Sequence, residues 1–81
     1  MFLEVYAVKR SEYTKDTEIS MVSHNLRLIE MTGARIRNCD LFPERTEIVL
    51  PNKSKLLCAG SYEELVQRMA QAENGIARIK K

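Results

Sequence analysis

At 81 residues the chain is long enough for one small domain, and its 44% apolar and 30% charged residues are typical of a globular protein. Its 13 basic and 11 acidic side chains give a formal net charge of +2, which is too small to indicate nucleic-acid binding by itself. No apolar run approaches the roughly 18 to 20 residues that span a membrane, and the N-terminus has no basic leader before Glu4, so we expect no signal peptide and a cytoplasmic location.

The first residues of the chain predict a strand. The segment 2–9, "FLEVYAVK", is rich in β-branched and aromatic residues and short of helix signals. Alternation places Leu3, Val5 and Ala7 on one face, which is the better candidate for the core. A polar, turn-like stretch follows at 10–17.

Two further segments in this half of the chain have the pattern of strands. Alternation in "EISMVS", at 18–23, predicts a strand, and His24 with the asparagine after it predicts a turn. In "LRLIEMT", at 26–32, alternation favours a strand, although adjacent apolar residues leave a single helical turn open.

The pattern in the middle of the chain predicts a hairpin after an ambiguous segment. In residues 33–45, "ARIRNC" alternates like a short strand, and Pro43 ends any regular element just before it. "TEIVL" at 46–50 and "KLLCA" at 55–59 predict two strands. The proline and asparagine of the intervening "PNKS" indicate a turn between them.

The clearest pattern is a helix after Gly60. Ser61 and Glu64 predict a capping box, in which the serine hydroxyl accepts one backbone N–H and the carboxylate reaches back to another. The Asn-Gly pair at 74–75 predicts the end of the helix, which we expect over about 61–74. One apolar stripe at helical spacing consists of Tyr62, Leu65, Val66, Met69 and Ala70.

These elements predict an α+β fold, with a small antiparallel, meander-like sheet of four or five strands and one packed helix in the C-terminal region. We expect a single domain over 1–75 and a basic C-terminal tail over 76–81. Because one helix cannot cover both apolar faces of such a sheet, the expected assembly is a homodimer. The helix stripe should pack beside Ile48, Leu50, Leu56 and Cys58.

The sequence offers few groups for catalysis. Cys39, Cys58 and His24 are scattered, whereas a zinc site wants about four ligands, and we expect the cysteines to be reduced thiols in or near the core. Glu63 and Glu64 are explained by helix capping, and three isolated glycines cannot form a phosphate loop. We therefore expect no enzyme, no cofactor and no metal.

One cluster of basic residues, between positions 35 and 55, could bind a ligand. Carboxylates lie among its members and no aromatic platform is interleaved, so a solvated face of mixed charge is the alternative. If the cluster does bind nucleic acid, its side chains would meet on neighbouring loops and contact phosphates. They are Arg35, Arg37, Arg45, Lys53 and Lys55.

The order of motifs resembles a known group of proteins. "LIE" at 28–30, "TEIVL" at 46–50, the Asn52-Lys53 turn and "SYEEL" at 61–65 resemble the small flagellar-operon proteins of the FlbD/SwrD type. The same pattern is also similar to the middle of LytTR-type DNA-binding domains. The first resemblance implies a non-enzymatic regulatory or assembly role.

The expected function is a non-catalytic regulatory or protein-interaction module of the cytoplasm. Its partner would be a protein, met through an exposed strand edge or through the C-terminal "GIARIKK" segment. The alternative is a nucleic-acid-binding module that uses the basic cluster between residues 35 and 55.

Overall fold

The computed structural model describes residues 1–14, 25–40, 42 and 44–79. The strand predicted at 18–23 and the turn at His24 lie outside the described residues. Within them the strands are β1 (Phe2–Lys9), β2 (Leu26–Glu30), β3 (Arg35–Asn38), β4 (Thr46–Val49), β5 (Lys55–Cys58) and β6 (Ile76–Ala77). A 3₁₀ turn at Arg10–Glu12 follows β1, and one α-helix, α1, spans Tyr62–Ala70.

The strands form one sheet in the order β2-β1-β5-β4-β3, and every neighbouring pair in that order is antiparallel. The short β6 adds a parallel pairing to the start of β1. The α+β class predicted from the sequence is thus confirmed, with six described strands. Only β3, β4 and β5 form a meander, because β1 lies between β2 and β5.

Strand β1 is central because both of its edges are paired. On one edge, the Ala7 N–H donates to the Asn25 carbonyl at 3.0 Å, beside β2. On the other edge, the Phe2 N–H donates to Gly75 beside β6 at 2.7 Å, and Tyr6 accepts from Ala59 beyond β5 at 2.9 Å. One long strand therefore joins three others.

The helix begins as predicted and ends early. The Ser61 hydroxyl accepts the Glu64 N–H at 3.2 Å, and the Glu64 carboxylate accepts the Ser61 N–H at 3.3 Å, which completes the capping box. However, α1 ends at Ala70 instead of near 74. Asn74 and Gly75 adopt left-handed φ angles of 54° and 78°, and they turn the chain into β6 rather than terminate the helix.

The core lies between α1 and one face of the sheet. Leu65 is 0% exposed, as predicted for its stripe, and Met69 packs against the same cluster one turn later. Val66 was expected in this contact but is 40% exposed, because it lies at the margin of the stripe, about 100° around the helix from the buried Leu65. The sheet residues of this core include Leu3, Val5, Ala7, Ile48, Leu56 and Cys58.

A second, smaller apolar cluster covers the opposite face of the sheet. Val8, Leu57 and Cys39 are buried there. The rings of Tyr13 and Phe42 pack over them edge to face, with centroids 4.4 Å apart. The sheet therefore buries apolar side chains on both faces without a second helix in the described part of the chain.

The segment predicted to be a tail contributes to the fold. Ile76–Ala77 forms β6, and Ala77 is completely buried. The Ile79 N–H then donates to the Glu4 carboxylate at 3.1 Å. Residues 76–79 are consequently packed on β1. No helix among the described residues has the length and apolar character needed to cross a membrane.

Replacing Leu65 with alanine should lower the free energy of unfolding by about 2 to 5 kcal/mol, because it leaves a cavity beneath α1. Urea denaturation followed by circular dichroism measures this loss. Val66→Ala on the same helix is the matched control and should cost less than about 1 kcal/mol, since that side chain is largely solvated. Equal losses in the two variants would contradict the packing described.

Candidate functional site

A concave, positively charged surface lies at one end of the sheet. The cavity measures about 690 Å³ and is bounded by the end of β1, by β2 and by the β4–β5 hairpin. We call it the basic groove: its floor is Ile29, Leu50 and Leu56, and the basic residues that line it are Lys9, Arg10, Arg27, Lys53 and Lys55. None of its described lining residues is acidic.

Strand register brings the groove together. Lys9 pairs with Leu56 across β1 and β5, so both side chains lie on the same face of the sheet as α1. Arg27 pairs with Val5 across β1 and β2, which places it on that face as well. Its Nε donates to the Ala7 carbonyl at 3.2 Å, and this bond fixes the guanidinium beside the end of β1.

The β4–β5 hairpin supplies the other wall. The Leu50 N–H donates to the Ser54 carbonyl at 2.9 Å, and the Lys53 N–H donates back to Leu50 at 2.9 Å. Asn52 accepts the Ser54 N–H at 3.0 Å through its side chain. Lys53 has a φ of 70°, a left-handed conformation that costs a non-glycine residue about 1 to 2 kcal/mol.

A buried carboxylate lies on the opposite face of the sheet. The Glu47 side chain is 3% exposed and forms ion pairs with both Arg10 and Arg37. Arg10 also donates to the Cys39 sulfur at 3.1 Å. Two guanidinium groups thus compensate the burial of Glu47, and the charge of Arg10 is largely neutralised before any ligand arrives.

The five basic residues predicted to form a binding patch do not share one surface. Lys53 and Lys55 line the basic groove. Arg35, Arg37 and Lys55 line a smaller neighbouring cavity of about 260 Å³, but the charge of Arg37 is paired with Glu47. Arg45 lines a different cavity, together with Glu64 and Arg68.

Three groove residues were missed by the sequence-based prediction. Lys9, Arg10 and Arg27 are distant in sequence from the 35–55 cluster, and only the pairing of β1 with β2 and β5 brings them together. Alternation does place Lys9 on the Leu3 face of β1. The sequence gives no signal for which strand lies beside Lys9.

The two cysteines and Glu64 occupy positions that belong to the core and to the helix cap. Both cysteines are free and buried, and burial raises the pKa of the Cys58 thiol to about 12. No cluster of three or more His, Cys, Asp or Glu side chains arranged to hold a metal occurs in the described ranges. Glu64 belongs to the capping box, and His24 lies outside the described residues.

The basic groove can hold an anion. Its lining residues include lysines and arginines, which can donate charge-assisted hydrogen bonds, together with Ser11, Ser54 and apolar residues. This is a binding surface whose chemistry is charge complementarity combined with burial of apolar groups. Comparisons with protein-family models, with curated proteins and with solved structures find no match to this chain.

The environment of Cys58 predicts an unreactive thiol. In a Cys39→Ser variant, alkylation of the folded protein near pH 8.5 should be at least about a thousandfold slower than in urea, because the raised pKa of Cys58 suppresses the reactive thiolate. Mass spectrometry of quenched samples gives both rates. Comparable rates in the folded and unfolded protein would contradict the burial of this side chain.

The two ion pairs of Glu47 predict that a substitution at this residue lowers the stability of the protein, although it lies away from α1. Glu47→Gln should lower the free energy of unfolding by about 1.5 to 3 kcal/mol, since two charge-assisted hydrogen bonds lose their anion. Thermal denaturation compares it with Glu44→Gln, whose side chain is exposed and whose loss should be within about 0.5 kcal/mol. A stable Glu47→Gln protein would argue against the cluster.

Proposed function

We propose that the chain is a non-catalytic regulatory or protein-interaction module of the cytoplasm that forms a homodimer through the outer edge of β2. The observation that carries the proposal is the character of this edge. Among the described residues, β2 pairs only with β1, and its Leu26 and Leu28 side chains are each 53% exposed. An unpaired edge flanked by apolar side chains is a template for strand addition.

The hydrogen-bond pattern indicates which residues would pair. Asn25 and Met31, at the two ends of β2, direct their backbone groups toward β1. By alternation, Leu26, Leu28 and Glu30 direct their backbone N–H and C=O groups outward. Their side chains lie on the face opposite α1, and Phe2, which is 39% exposed, lies beside Glu30 there.

A two-fold axis at Leu28 gives a self-complementary pairing. Leu28 would face its own copy, Leu26 would face Glu30, and Arg27 would face Ile29. A register centred one residue earlier would oppose two copies of Arg27, which is unfavourable. The favoured pairing continues the sheet and covers the exposed leucines of both protomers. The resemblance to small flagellar-operon proteins supports a non-enzymatic role of this kind.

Replacing Leu28 with lysine should convert the dimer to a monomer, because two ammonium groups would meet at the axis. Sedimentation velocity at high micromolar concentration measures the change. Val66→Lys removes an equally apolar, exposed side chain from α1 and should leave the dimer intact. A wild-type protein that sediments as a 9.3 kDa monomer would refute the proposal.

Nucleic-acid binding is the second candidate function. It is favoured by the position of Arg35, Lys53 and Lys55 at one end of the sheet, around two adjoining cavities. Against it, Arg37 is paired with Glu47 and Arg45 lies elsewhere. Phosphate contacts would make binding fall steeply with salt, with a slope of about −0.9 per contact on duplex DNA.

A further inference from the structure

We infer that the basic groove is a docking site for an acidic segment of a partner protein in which apolar side chains alternate with carboxylates. The inference rests on the proposed function as a protein-interaction module and names the chemistry of one partner. The groove includes Arg27 and Ile29 of β2, but Lys53 lies on the β4–β5 hairpin away from the outer edge of that strand, so a change at Lys53 tests the groove separately from the dimer.

The charge of the groove selects an anion. Lys9, Arg27, Lys53 and Lys55 form no ion pair within the part of the chain that the structure describes, while Arg10 is already paired with Glu47. These four residues line one cavity, and none of the described residues that line it is a carboxylate. An anionic ligand would reduce their mutual repulsion, and it would gain charge-assisted hydrogen bonds.

The floor of the groove favours a peptide over a nucleic acid. Ile29, Leu50 and Leu56 place apolar carbon between the cations, where a leucine or valine side chain could be buried. No aromatic residue is among the described residues that line the groove, so unstacked bases would have no described ring on which to stack. An extended acidic strand alternates its side chains, and can direct carboxylates to the cations while apolar groups meet the floor.

The backbone at Lys53 makes this residue a useful position for testing the groove. Its φ of 70° is a conformation in which glycine is free of the steric penalty that a lysine carries. The lysine nevertheless occupies the position and extends a cation along the wall of the groove.

The test measures binding of fluorescent probes to the full chain by anisotropy. One peptide alternates glutamate with leucine, and a second peptide of equal length and charge alternates glutamate with serine. A single-stranded thymidine oligonucleotide and a DNA duplex are the polyanion probes. The glutamate–leucine peptide should bind at least about tenfold more tightly than the glutamate–serine peptide, because only the former buries carbon on the floor.

Two charge reversals locate the site. Lys53→Glu should weaken peptide binding by about fivefold or more, whereas Arg78→Glu makes the same change in net charge at an exposed position outside the groove and should alter it less than about twofold. Lys53→Gly provides a variant whose folding is not in question, because it relieves the backbone strain. It should be more stable than wild type and still bind the peptide more weakly.

The outcomes separate this inference from the proposed function. Equal binding of the two peptides, equal effects of Lys53→Glu and Arg78→Glu, or no binding of either peptide would overturn the acidic-peptide site. Tighter binding of an oligonucleotide, with a steep salt dependence that Lys53→Glu reduces, would reassign the groove to nucleic acid. Sedimentation of the Lys53→Glu protein as a dimer would show that a failure in the groove is independent of the β2 edge.

Discussion

The structure depends on the hydrogen bonding of β1 along both edges. Its residues Leu3, Val5 and Ala7 are completely buried beneath α1, so the strand provides the centre of the core as well as of the sheet. Strands β2, β5 and β6 all pair with it directly. Interior strands have no free backbone edge, and their apolar side chains are protected by neighbours on each side.

The register of β1 and β2 determines both proposed surfaces at once. In the observed pairing, Arg27 and Ile29 lie on the face of the basic groove, while Leu28 lies on the opposite face beside Glu4. A slip of one residue would exchange these faces. It would place an arginine in the exposed apolar patch and a leucine among the cations. Arg10, just after β1, also lines the groove, but its guanidinium is paired with Glu47 on the opposite face of the sheet.

Local signals explain what the sequence predicted well. The strand at 2–9, the buried face of Leu3 and the capping box at Ser61 each follow from neighbouring residues. Long-range pairing explains the features that the sequence did not predict. Glu47 alternates with Thr46 and Ile48 like a solvent-facing residue, yet it is buried because Arg10, 37 positions earlier in the chain, reaches it. The groove likewise needs strand neighbours that alternation cannot specify.

The central position of the first strand has a consequence during protein synthesis. On the ribosome β1 is made before two of its partners, β5 and β6, which lie about fifty and seventy residues further along the chain. The edge of β1 that pairs with β5 and β6 therefore stays unpaired until those strands have been made. Such distant pairings slow folding and prolong the exposure of an apolar strand with an unpaired edge.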